Sequence, residues 1–215
     1  MSRPLPLATL GCRSHSGWAA LVALAGPADS PQVIDRRRIE ICDARIRGSK
    51  QPYHAAEPMR FSDAEAFLER CSQSTSRLAA DALRGAVDDL RALGYKTAKF
   101  GITLGSGRAL PALKAVLASH ALIHTAEGEF YRDELKKAAT QCGLDLIAIK
   151  ERDLYEHASV HFHMPLGQLE RRVADLGKPL GPPWSQDQKC AALVAWLALS
   201  GALLGSSSPS SLYKS

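Results

Sequence analysis

Four polar side chains crowd around Gly128 in one short stretch of this chain: His124, Glu127, Glu129 and Arg132. His120 precedes them, so His120, His124 and Glu127 stand at i, i+4 and i+7, and a helix there places all three on one face. Imidazoles and a carboxylate at that spacing suit a metal site or a general acid–base pair, with His124 moving a proton. The plainer alternative is helix capping and surface pairing, with Glu129 near a helix start where its charge suits the dipole.

A second candidate is the segment from Gly11 to Gly17, which reads as a polar turn with a glycine at each end. Arg13, Ser14, His15 and Ser16 would offer a guanidinium, two hydroxyls, a ring and backbone N–H groups to a phosphate. The sequence is neither a Walker A loop nor a Rossmann fingerprint, and a plain hairpin turn is the alternative. The third candidate is Trp184 with Asp187 and Lys189, at the start of an apolar helix whose N-terminus attracts anions. Lys189 is placed to steady a phosphate, unless the segment is only a capped helix start with a packed Trp. His157, His161 and His163 invite a metal reading, yet no single helix or strand presents all three on one face. Arg36, Arg37 and Arg38, with Arg45, Arg47 and Lys50, make a basic cluster able to contact phosphates, or else a solvated edge. No aromatic stripe accompanies it in the sequence, which weakens any case for base stacking.

These residues need elements to hold them. Leu5 to Cys12, Trp18 to Ala25 and Gln32 to Cys42 are apolar runs of strand length, joined by short glycine- and proline-bearing turns, and predict an antiparallel meander. Three arginines in a row place the third strand at a sheet edge, where charge also blocks unwanted pairing. Ser62-Asp-Ala-Glu65 reads as a capping box opening a helix that runs to Leu93 and stops at Gly94. Thr97 to Leu104 is a strand, closed by Gly105-Ser106-Gly107. Leu110 to Cys142 is helical, with Gly128 a possible break. Leu144 to Ile149 is a buried strand, and the helical segment before it implies parallel pairing with the fourth strand. Shorter helices follow over Asp153 to Val160 and Leu166 to Leu176. A second capping box, Ser185-Gln-Asp-Gln188, opens a strongly apolar final helix. The expected organisation is one domain over 1–204, with a helical insert at about 153–177 and a serine-rich disordered tail over 205–215.

Composition narrows the function classes. The 215 residues are 46% hydrophobic and 23% charged, enough for a real core and too apolar for wholesale disorder. The five cysteines are scattered and form no CxxC, which argues against a cysteine zinc site or a disulfide framework and for a reducing, cytoplasmic setting. The stretch from Cys190 to Gly205 is shorter than a membrane span and follows charged residues, so a buried helix is expected. A net charge of +5 permits a polyanionic partner without requiring one.

The order β-β-β-α-β-α-β-α resembles the RNase H-like superfamily, which includes RuvC-type resolvases; the actin-like ATPase domain shares the same order. The resemblance implies an α/β fold with a mixed five-stranded sheet and helices on both faces. It also implies a nucleic-acid partner and a two-metal carboxylate centre, with acids in mid-first strand, at the end of the fourth strand and on the last helix. Here the first and fourth strands carry no acid at those places, and Asp187 alone matches. The implied activity is that of a divergent or inactive metal-dependent nuclease, with a cleft joining Arg13, Glu127, Glu129 and Asp187, in which Glu127, Glu129 and Asp187 would bind Mg2+ or Mn2+. Two other readings stand beside it: a small-molecule or nucleotide/phosphate-binding enzyme, and a non-catalytic subunit of a bacterial assembly.

Overall fold

Strand β1 (Leu7–His15) turns through Ser16 and Gly17 into β2 (Trp18–Ala25), with His15 directly opposite Trp18. Gly17 sits at φ +85°, a conformation that favours glycine and closes this two-residue turn. Strand β3 (Gln32–Glu40) pairs antiparallel with β2, completing the meander. β4 (Lys96–Leu104) then runs parallel to β1, and β5 (Asp145–Lys150) parallel to β4. The sheet order is β3-β2-β1-β4-β5, which puts the arginine-rich β3 at an edge, as its charge predicts.

The computed structural model describes residues 4–105 and 109–201. Seven α-helices lie among the described residues: α1 (Pro52–Ala56), α2 (Phe61–Ala92), α3 (Leu113–Leu117), α4 (His120–Gln141), α5 (Leu154–His161), α6 (Leu166–Leu176) and α7 (Gln186–Leu199). The strand period of two sorts β1 between two cores. Leu10 and Cys12 face a cluster built with α2 and α4, around Leu83, Leu90, Tyr131 and Leu135. Thr9, Gly11 and Arg13 face α7 on the other side.

α7 is apolar all round because it is covered all round, by the sheet on one side and by Leu154, Leu169 and Val173 of α5 and α6 on the other. Burying each of its leucines is worth roughly 1.5–3 kcal/mol. Two glycines let it sit directly on the sheet. A Cβ on Gly11 would strike the Ala191 carbonyl and come within 2.7 Å of the Ala195 Cβ, and one on Gly101 would lie 2.7 Å from the Val194 oxygen. Thr9 Oγ1 then donates to the Ala195 carbonyl at 2.9 Å, securing the contact.

The Ser185–Gln188 capping box is present as predicted. The Ser62–Glu65 box is not: α2 begins at Phe61, its N-cap is the extended Arg60, and no side chain caps it. Gly128 does not break the helix either. The interruption falls at Ser119, and α4 runs through Gly128 to Gln141, so Glu129 sits mid-helix rather than near a helix start. β1 continues three residues past Cys12, so Arg13, Ser14 and His15 belong to a strand and not to a phosphate-cradling turn. Among the described residues no helix is long and apolar enough to cross a membrane. Ser106, Gly107 and the serine-rich tail lie outside the described residues.

Candidate functional site

The extended β1 carries two polar side chains on its α7 face, where the strand leaves the hydrophobic core. Arg13 forks onto Glu151, Nε to Oε2 at 3.0 Å and Nη2 to Oε1 at 2.6 Å, while its Nη1 donates to Oδ1 of Asp187. The fork is the bidentate geometry that suits guanidinium and carboxylate. His15 Nε2 lies 2.9 Å from the same Asp187 oxygen, and donates to it when that nitrogen carries the proton. β1 thus supplies Arg13 and His15, the 3-10 turn after β5 supplies Glu151, and the first turn of α7 supplies Asp187. The hydrogen bonds to Glu151 outweigh burial and raise Arg13 above its ordinary value. Burial pushes the Asp187 carboxyl up, but His15 and Arg13 outweigh it and hold the group below the usual carboxylate range.

A row of flat side chains leads away from this cluster across the meander. His15 stacks on Trp18 with centroids 4.2 Å apart and planes within 9°, and the Arg38 guanidinium lies 3.9 Å from the Trp18 ring centre. Arg38 also donates its Nε–H to Glu40 at 2.5 Å, in an exposed pair, and the other arginines of β3 are engaged elsewhere. Arg36 donates to the carbonyls of Leu180, Gly181, Pro182 and Pro183, and Arg37 pairs with Asp35 and Asp89. Arg45 pairs with Asp43. Half of the basic cluster is therefore committed to partners within the chain, and the aromatic partner absent from its own segment comes from β2 across the sheet.

Ser14 is buried on the α2/α4 side of the same strand, so it faces away from Arg13. Ser16 stays in the turn. Lys189 sits two residues beyond Asp187 in α7 and forms no ion pair among the described residues.

The carboxylates expected from the middle of the chain go elsewhere. Glu127 is 6% exposed, and its Oε2 accepts from the backbone N–H groups of Tyr53 and His54 and from His54 Nδ1 at 3.0 Å. His120 and His124 lie beside it on the opening turns of α4, with their Nε2 atoms 3.0 Å apart. Glu129, 14% exposed, lies over Gly105 at the end of β4 with Arg132, whose Nη1 is 3.9 Å away. So Arg13, His15 and Asp187 meet at the α7 face, while His124 and Glu127 meet at α1; Glu127 and Asp187 bind different partners on opposite sides of the sheet. His157, His161 and His163 do not converge: His161 bonds Ser200, and the one metal-competent group among the described residues is elsewhere.

Two members of these clusters escaped the sequence reading. Glu151 follows β5 in an ordinary charged stretch, and His54 falls in a proline-bearing segment that reads as a loop and folds as α1, with no local pattern to mark either. Their partners lie 138 and 73 residues away, so only the fold reveals them.

A two-metal centre requires free carboxylates converging on one point. Mid-β1 offers Thr9 and Gly11, both committed to α7, and the end of β4 offers Thr103, Leu104 and Gly105. The acids that do reach the α7 face, Glu151 and Asp187, already share the Arg13 cation. This donor set does not fit two divalent metals.

No protein-family model and no curated protein matches the chain. Among solved structures it is similar to T. thermophilus RuvC in complex with a Holliday junction substrate, at 7% identity and a TM-score of 0.51, covering 91% of this chain and 96% of that one. A second Thermus thermophilus RuvC structure aligns at 8% identity and TM-score 0.49, over 91% and 98% of the two chains. An Aquifex aeolicus member of the Ppx/GppA family aligns at 9% identity and TM-score 0.35, over 72% of this chain and 39% of that one. The sheet order, the parallel placement of β4 and β5 and the match to RuvC agree: this chain has an RNase H-like fold.

Proposed function

We propose that this chain is a nucleic-acid-binding RNase H-like domain that holds its ligand on the Trp18–Arg38 platform of the meander and does not cut it through two metals. The observation that supports this is the band Arg13–His15–Trp18–Arg38, which runs from the cleft beside α7 across three strands. A guanidinium takes the place among the acids that a metal ion would need. The band next to it joins a cation to flat rings, the combination that holds a nucleic-acid backbone and stacks a base. Lys150, at the end of β5, and Lys189 add charge that no carboxylate takes up among the described residues. The RuvC structure of the same fold holds a Holliday junction substrate, which makes branched and duplex DNA the first partners to try.

The test is anisotropy of labelled single-stranded, duplex and four-way-junction oligonucleotides, in low salt and then in rising salt. Binding is expected at low salt, falling steeply as salt rises. The double variant Trp18→Ala with Arg38→Ala is expected to weaken it about tenfold, in line with a stacking contribution of ~1–3 kcal/mol. Incubation with Mg2+ or Mn2+ is expected to leave the strands intact. No binding at low salt removes the reading. Metal-dependent cleavage removes its non-hydrolytic half. Thermal stabilisation by a nucleotide, with no oligonucleotide effect, moves the assignment to a small-molecule enzyme.

A further inference from the structure

His54, His120 and His124 form a second polar cluster, remote from the Arg13 cleft and unused by nucleic-acid binding. One nitrogen from each ring lies within 4.8 Å of the other two. The ring pairs approach edge-on, with centroids 4.5 Å apart for His120–His124, 4.8 Å for His54–His124 and 5.8 Å for His54–His120. His120 and His124 are exposed and bury no core surface, so packing does not explain why the three rings gather. Water solvates separate imidazoles well, and three of them gain little from one another.

The surroundings select among ligands. With Glu127 ionised, its Oε2 accepts from His54 Nδ1–H, the tautomer that leaves the Nε2 lone pair free. A carboxylate behind an imidazole is the usual outer support of a histidine metal ligand, orienting the ring and raising its basicity. Glu127 is itself held by two backbone N–H groups of α1, so its position is set before any ion arrives. Its other oxygen, Oε1, is buried with no hydrogen-bond partner. The His120 and His124 Nε2 atoms are 3.0 Å apart, close to the ~3.3 Å edge of a tetrahedron whose metal–nitrogen bonds are about 2.0–2.1 Å. Three imidazole donors suit zinc and its neighbours, and do not suit Mg2+ or Ca2+, which take oxygen.

We propose that His54, His120 and His124 bind one Zn2+ ion, with Glu127 as the carboxylate that orients His54 and the fourth position open to solvent. The ion clamps α1 to the opening turns of α4. Because two ligands stand at i and i+4 on α4 and the third comes from α1, with α2, β4 and α3 between them in the chain, the site exists only in the folded protein, and zinc stabilises the fold.

The test uses tag-free, chelator-treated full-length protein titrated with Zn2+ against a chromophoric competitor, with Tm followed in parallel. One equivalent of Zn2+ per chain is expected, with a rise in Tm that Mg2+ does not produce. Co2+ in its place is expected to give the visible absorption of a low-coordinate nitrogen site. His120→Gln with His124→Gln changes exposed side chains only, so the variant folds, and it is expected to lose both the binding and the Tm shift. Glu127→Gln is expected to weaken binding about 10–100-fold. Absence of Zn2+ uptake, or stoichiometric uptake retained in the double-histidine variant, overturns the proposal.

Discussion

Two polar clusters flank the sheet, and their charge balance separates them. On the α7 side, Glu151 and Asp187 already have a cation in Arg13, held by a fork from within the chain. On the α1 side, three imidazoles face one another with a single carboxylate behind them, and among the described residues Glu127 pairs with no Lys or Arg. In the first cluster the acids are committed to a cation of the chain itself, and in the second, by our proposal, the donors are left for a metal ion. The contrast teaches that a residue list of acids and histidines does not say where an ion binds; what matters is whether the side chains have already neutralised one another.

The sharpest way to break the comparison is to unseat the helix that carries Asp187. Gly11→Ala drives a Cβ into the α7 backbone, where no flexible side chain can yield. Overpacking of this kind costs roughly 1–3 kcal/mol and more when backbone must move, so about 3 kcal/mol is expected by urea denaturation. A wild-type denaturation curve in this variant would mean that α7 does not lie on β1 as described.

Removing the internal cation comes next. Arg13→Met leaves Glu151 and Asp187 facing each other without compensation. Breaking a fully buried pair costs about 3–5 kcal/mol. Arg13, Asp187 and Glu151 are 22%, 24% and 34% exposed, so solvent screens them and about 2 kcal/mol is expected. The same substitution should make the α7 cluster resemble the other one: Mg2+ or Ca2+ should raise the Tm of the variant and leave that of the wild type unchanged. A variant indifferent to both ions would show that the two acids do not face a common point.

Asp187→Asn sharpens the acid limb. The folded carboxyl sits below its unfolded value, so its contribution is present above the ordinary carboxylate range and is lost as pH falls through the folded value. The variant is expected to be about 1 kcal/mol less stable at neutral pH, with a difference that shrinks below about pH 4. A gap that persists undiminished at low pH would assign the loss to packing instead. The smallest effect belongs to the other cluster: His120→Gln without metal should change stability by less than about 0.5 kcal/mol, as expected for an exposed side chain.

Much of the fold was legible because it is written locally. The alternation of Leu10 and Cys12 with Thr9 and Gly11, the turn glycine at 17 and the arginines of β3 each announce their place in the sheet. Ser185 and Gln188 announce the start of α7. Failures came where local signals compete with tertiary ones. Gly128 costs about 1 kcal/mol against Ala in a helix, yet Phe130, Tyr131 and Leu135 anchor α4 strongly enough to carry it through. Arg13 and His15 looked like turn residues because they are polar, and they are strand residues because acids from the far end of the chain meet them there. Half of the candidate site was legible for the same reason. Arg13, His15 and Asp187 were named as separate features and prove to touch, while His54 and Glu151, read from neither pattern nor spacing, decide what each cluster does.

The seat of α7 on β1 also governs when the molecule can exist as a folded body. Thr9 and Ala195, joined by one hydrogen bond, are separated by 186 positions along the chain. During synthesis the central strand therefore emerges long before the helix that covers it, and Gly11 offers it no side chain as a provisional shield. Folding of this half of the core must wait until α7 has emerged, and a nascent chain stalled before residue 186 is a natural client for chaperones.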